Sequence, residues 1–165
     1  MFRIIKWLIA LPLGAFIFFN AYVYGNIITY RAVAPNKTAF MAMRMRQFQS
    51  EGKDVALDYR WVPYDRISVN LKKALIASED AKFAEHGGFD WGGIQYAIKR
   101  NKQSGEVKAG GSTISQQLAK NLFLNESRSY IRKGEEAAIT AMMEAVTDKD
   151  RIFELYLNAI EWHYG

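Results

Sequence analysis

Gly110-Gly111-Ser112-Thr113-Ile114-Ser115-Gln116-Gln117-Leu118-Ala119-Lys120-Asn121 sets two glycines and a run of short polar side chains at the start of a helical pattern. Thr113, with Gln116 three residues on, has the spacing of a capping box, so a helix is expected to open here. The free N–H groups and dipole of such a helix start favour an anion; an ordinary flexible loop followed by an N-cap reads the same residues without a ligand. The spacing of a Walker phosphate loop is absent.

Helical patterns continue on both sides. Upstream, Asp90 can cap a helix carrying Ile94, Ala97 and Ile98, and residues 102–111 form a polar, Gly-containing loop. Earlier still, Ser68 can cap a helix with Leu71, Ala74, Leu75 and Ser78 on one face, ending at Glu79 and Asp80. Downstream, Ser129 opens a long helix to about Val146, with Ile131, Ala138, Met142 and Val146 on a common face. Asp148 starts another, with Ile152, Leu155, Tyr156 and Ala159. The reading is an all-α domain over 68–165. Between 31 and 67 the pattern is mixed: Met41, Met43 and Met45 alternate with basic residues, and Ala56 to Val62 reads as an extended piece before Pro63, so a connector is expected.

The first thirty residues differ. After Arg3 and Lys6 no charge occurs until Arg31, and the 24 residues from Trp7 to Tyr30 would reach ~36 Å as a helix, against a hydrocarbon core of ~30 Å. Residues 1–30 therefore read as a cytoplasmic tip and transmembrane anchor, with Trp7 near one interface and Tyr22, Tyr24 and Tyr30 toward the other. A cleaved signal peptide is the rival, though Ala21-Tyr22-Val23 supplies only half of a small-x-small site. Arg31, Lys37, Arg44 and Arg46 outnumber the basic residues before the span, a local vote for a cytoplasmic domain, but long domains translocate largely regardless of charge.

Composition narrows the chemistry. The 165 residues include no Cys and two His, His86 and His163, which removes disulfides, thiol nucleophiles and Cys-ligated metals. Net charge is +5, concentrated between Lys99 and Lys133, where Lys99, Arg100, Lys102, Lys108, Lys120, Arg128, Arg132 and Lys133 face only Glu106 and Glu126. A solvated surface explains any one of them. Together they suit an anion; beside a membrane anchor, with no nucleic-acid motif, a phosphate-bearing lipid fits better than nucleic acid. Two carboxylate pairs stand out: Glu79-Asp80, followed by Phe83, His86, Gly88, Phe89 and Asp90, and Glu135-Glu136 after Arg132-Lys133. Surface acids are the commoner meaning of such pairs. A carboxylate against apolar walls suits proton transfer, and two separated acids can divide labour in glycosyl chemistry.

Four stretches taken together resemble a known family. Glu79 to Asp90, EDAKFAEHGGFD, resembles the first signature of the family 51 glycosyltransferases, the peptidoglycan polymerases. GGSTISQQLAKN resembles the second, Arg132-Lys133-Gly134-Glu135-Glu136 the third, and Lys149 to Asn158, KDRIFELYLN, the fourth. The resemblance covers residues from about 55 to 165, and the lone anchor without a penicillin-binding domain is similar to the monofunctional transglycosylases of that family. The family continues into a Gly-rich turn, a fifth motif and further helices, so a fragment or C-terminally truncated product is expected, with its activity in question. Part of the cover for the apolar face of the 149–160 helix is then expected from beyond residue 165.

The resemblance implies a lysozyme-like all-α fold, a single-pass anchor in the bacterial cytoplasmic membrane and a catalytic domain on its outer side. It implies polymerisation of lipid II with inversion and release of undecaprenyl pyrophosphate. Glu79 matches the general base. Glu136 matches the third motif's acid, acting on the leaving-group side by orienting cations or a divalent metal, Mg or Mn; no organic cofactor is implied. Lys120, Arg132 and Lys133 would neutralise the pyrophosphate, and Gly111, Ser112, Thr113, Gln116 and Gln117 would line the donor cleft. Asp80, Phe83, His86 and Asn121 complete the substrate-binding set. Expected partners are lipid II, the growing glycan strand, the membrane and other cell-wall synthesis proteins, with no nucleic acid. A membrane-anchored, non-catalytic lipid II binder is the alternative, and a lytic transglycosylase the third reading.

Overall fold

The computed structural model describes residues 2–106 and 110–162, with backbone alone for 2–5 and 9; Lys108 of the basic run and His163 lie outside the described residues. Seven α-helices and one short 3-10 turn follow in order, and among the described residues there is no strand. They are α1 Phe2–Tyr30, α2 Ala39–Ser50, α3 Val69–Glu79, α4 Trp91–Ser104, α5 Ile114–Phe123, α6 Tyr130–Val146 and α7 Lys149–Ala159, with the turn at Tyr64–Arg66. The all-α expectation holds.

Helix α5 is the centre of the domain. It packs against α7, α6 and α2, and Ile114, Leu118, Ala119 and Leu122 are all buried, together with the polar Ser115, Gln116 and Asn121. So short a helix is marginal alone, and burial on three sides supplies what its length does not. Its start is the expected capping box: Gln116 N–H donates to Thr113 Oγ1, and Thr113 N–H to Gln116 Oε1. Asp90, Ser129 and Asp148 also cap as expected, each accepting from the backbone N–H three residues on.

Four details differ from expectation. Ser68 precedes α3 without a side-chain cap bond, and only Leu75 of the anticipated face is buried; Leu71, Ala74 and Ser78 face solvent because no element covers that side. On α6 the fully buried face is Glu136, Ile139, Thr140 and Met143, with Ile131 left 79% exposed. The anticipated connector contains α2, opened by Thr38, whose Oγ1 accepts from Met41 N–H. Finally, Ile152, Leu155, Tyr156 and Ala159 of α7, the face for which outside cover was expected, are already buried among the described residues, packed mainly on α5.

Residues 53–63 are irregular, with no strand among the described residues to pair with. Side chains of α7 hold the segment instead: Asn158 exchanges hydrogen bonds with the Val62 backbone at 2.7 and 3.0 Å, and Glu154 accepts from Tyr64 N–H at 2.9 Å. The Tyr59 hydroxyl nearby is buried with no partner among the described residues, and burial pushes its phenol above the usual range. Tyr59→Phe removes that desolvated group while keeping the ring. It is expected to raise stability by up to ~1 kcal/mol, read as a higher thermal midpoint.

Among the described residues one helix is long and apolar enough to cross a membrane, Lys6–Tyr30 of α1. Three of its internal polar residues each donate back along the helix: Asn20 to Phe16 C=O, Asn26 to Tyr22 C=O and Thr29 to Gly25 C=O, which gives each a partner within the helix. The final turns are not free. Val23 and Ile27 are buried, α1 packs on α6, and Tyr30 stacks on Phe123 at 6.1 Å. Arg151 of α7 closes the end, donating to Tyr30 C=O at 2.7 Å and Val33 C=O at 3.0 Å with its guanidinium over Trp61. A cation on the last carbonyls complements the helix dipole, so the C-terminal turns of α1 pack as part of the helical domain.

Candidate active site

The C-terminal end of α3, the start of α4 and the loop entering α5 enclose a cleft of about 450 Å³. Glu79 and Asp80 lie on one side with Gly110, Gly111, Ser112 and Thr113, while Tyr96 and Arg100 reach it from α4. Tyr96 and Arg100 are four residues apart on one helical face; only Arg100 was signalled by the sequence, as part of the basic run.

The two acids at the end of α3 have different fates. Asp80 is buried, and its Oδ2 accepts from Ile114 N–H at the start of α5. Its Oδ1 meets His86 Nε2 at 2.9 Å, while His86 Nδ1 accepts from Gly88 N–H at 3.1 Å. Because the Gly88 N–H can only donate, the imidazole proton sits on Nε2 and points at Asp80. Asp80 and His86 thereby pin the first signature to the helix start of the second. Glu79 is exposed to the cleft and held by one bond, from Gln117 Nε2 to its Oε2 at 3.0 Å.

Gly88 makes the approach possible. Its φ is +92°, and a Cβ there would lie 2.8 Å from Thr140 Cγ2 and 2.9 Å from Glu144 Cγ of α6, so an L side chain meets both a disfavoured backbone and a wall. The Gly88 carbonyl in turn accepts from Thr113 Oγ1 at 2.7 Å. Glu144, which no sequence signal marked, accepts from Ser115 Oγ and from Lys149 Nζ.

The basic residues do not act as one free cluster. Arg132 Nη1 donates to Glu136 Oε2 at 2.5 Å, Lys133 Nζ donates to Glu136 Oε1, and the Glu136 side chain is almost wholly buried. Lys133 also reaches Ser112 Oγ at 3.0 Å, which brings its ammonium to the cleft rim. One carboxylate between two cations leaves a net single positive charge. Lys120 instead lies over the Phe40 ring of α2 at 5.2 Å.

Several anticipated substrate contacts stand behind the cleft. Gln116 is buried and spends its amide oxygen on the cap. Asn121 is buried, donating to Gln117 C=O and accepting from Glu161 N–H. Phe83 is core, 5.6 Å from Phe153 with Lys149 over its face. Of the anticipated set, Glu79, Asp80, Gly111, Ser112 and Thr113 line the cleft, and Gln117 reaches it only through its bond to Glu79.

The donor set does not fit a protein-held divalent cation. Both Glu136 oxygens are occupied by cationic side chains, and among the described residues no three His, Asp or Glu side chains converge. A dication at Glu136 would sit beside two like charges.

Comparison with known proteins agrees with this architecture. A family model described as Transglycosylase matches residues 44–165, which brings most of α2 into the domain. A biosynthetic peptidoglycan transglycosylase of Neisseria meningitidis serogroup C (strain 053442) is 88% identical over the whole chain, which covers 71% of that relative. One of Neisseria gonorrhoeae (strain NCCP11945) is 86% identical with the same coverage. With the family match spanning the cleft and all four signature stretches, this all-α, lysozyme-like chain belongs to the transglycosylase family of peptidoglycan glycosyltransferases.

Proposed function

We propose that this family member is a single-pass protein of the bacterial cytoplasmic membrane, with its catalytic domain on the outer side, that polymerises lipid II into glycan strands. The observation that carries the reading is the pairing of the cleft's exposed carboxylate, Glu79, with a cationic rim, Lys133 on Ser112. The 4-hydroxyl of one sugar attacks the anomeric carbon of another, forming the new C–O bond. The bond to undecaprenyl pyrophosphate breaks on the opposite face, and the hydroxyl proton passes to Glu79, so configuration inverts. Lys133 and Arg132 stabilise the departing pyrophosphate to the extent that they bind its developing charge better than the bound substrate. Glu136 fixes both cations in place. The growing strand and other cell-wall synthesis proteins are the partners this chemistry calls for.

The direct test is incubation of the protein with lipid II, with polymer and free polyprenyl pyrophosphate as the expected products. Cleavage of preformed glycan instead would mark a lytic enzyme; binding of lipid II without either product would mark a binding protein. A second measurement addresses the rim. Lys133 is 43% exposed, so Lys133→Gln leaves Arg132 paired with Glu136 and removes one screened charge. Affinity for inorganic pyrophosphate is expected to fall severalfold at low salt, and the difference from the parent to shrink as salt rises. An equal loss at all salt concentrations removes Lys133 from the anion site.

A further inference from the structure

Three segments distant in the chain meet behind Glu79. Gln117 of α5 donates from Nε2 to Glu79 Oε2 at 3.0 Å and to Ser112 C=O at 3.4 Å, while its Oε1 lies 3.3 Å from the Tyr156 hydroxyl of α7. Both neighbours of Nε2 can only accept, and Tyr156 can donate, so the amide has one favourable orientation. Turned over, its oxygen would face a carboxylate and a carbonyl. Tyr156 itself is 1% exposed, with its ring against Phe153 at 6.2 Å and Trp162 at 6.1 Å. Burial, with the charges of Glu79 and Asp80 adding to it, pushes its phenol well above the usual range, so the hydroxyl keeps its proton at any working pH.

We infer that Tyr156 is a positioning residue for glycosyl transfer, locking the Gln117 amide so that it holds the Glu79 carboxylate by Oε2 and leaves Oε1 for the attacking hydroxyl. The inference rests on the reading of Glu79 as the base. Glu79 projects into an open cleft at a helix end with several rotatable bonds, and a base out of line with its proton is a poor one. The line from Tyr156 carries orientation and not a proton, because an amide N–H does not ionise near neutral pH.

Tyr156→Phe removes one oxygen and keeps the ring. The expected result is a five- to tenfold fall in kcat for lipid II polymerisation, an unchanged KM and a thermal midpoint within a few degrees of the parent. Gln117→Ala is expected to lose more, and adding Tyr156→Phe to it nothing further, since the hydroxyl acts only through that amide. Turnover is read in this chain and, with the equivalent substitutions, in its 88% identical meningococcal relative. Unchanged kcat in Tyr156→Phe, or losses that multiply in the double variant, overturn the positioning role. Normal turnover in Glu79→Gln would instead remove the base itself, which separates failure of the inference from failure of the reading beneath it.

Discussion

Glu79→Gln is expected to lower lipid II polymerisation by at least about 10²-fold, with the far-UV circular dichroism and thermal midpoint unchanged. The substitution isolates one property. A glutamine side chain has the same shape, and its carbonyl oxygen can still accept the Gln117 N–H that the carboxylate accepts at 3.0 Å; it cannot take a proton from a hydroxyl. Little else depends on the side chain, since the buried neighbour Asp80 ties α5 and His86 to this corner. Loss of folding on Glu79→Gln would therefore contradict the division of labour between the two acids. Near-normal polymerisation by a folded variant would assign the base elsewhere, and Asp90, which lines the same cleft, is the next carboxylate to replace.

What the sequence made legible was local. Caps at Asp90, Thr113, Ser129 and Asp148 are set by side chains and N–H groups three residues apart, so the pattern alone locates them. Helix α2 escaped because its box uses Met41, whose sulfur receives Thr38 N–H at 3.5 Å, in place of the usual Glu or Gln. The buried face of α6 was misplaced by about one residue, because it carries Glu136 and Thr140 and apolar counting passes over both. Apolar residues facing protein and facing lipid look alike in a sequence, which hid the docking of Val23, Ile27 and Tyr30. The candidate site divides in the same way. Its motif residues were legible by resemblance, but which of them touch the cleft and which stand behind it depends on contacts between segments 30 or more residues apart, such as Tyr156 with Gln117 and Gln117 with Glu79.

Glu136→Gln is expected to lower stability and turnover while raising affinity for free anions, a combination that distinguishes its role from that of Glu79. Glu136 is 2% exposed and accepts from Arg132 on one oxygen and Lys133 on the other. A glutamine can accept only one of these bonds and turns its amide N–H groups toward the second donor. Two cations then stand together in the first turns of α6, close to the positive end of the helix dipole. The Arg132 side of the pairing is mostly buried and carries the larger share of the cost; the half-exposed Lys133 side is screened. The loss should be about 2–3 kcal/mol, seen as a fall of roughly 5–10 °C in thermal midpoint and smaller in high salt. Inorganic pyrophosphate should bind the variant more tightly and restore part of that midpoint, since it supplies the missing negative charge. Polymerisation should nevertheless fall by about tenfold or more. Binding that is stronger in the ground state and no better aligned at the leaving group does not lower the barrier. Weaker pyrophosphate binding by the variant would show that Glu136 does not hold Arg132 and Lys133 neutralised in the resting site, and the single net charge assigned to that trio would have to be abandoned.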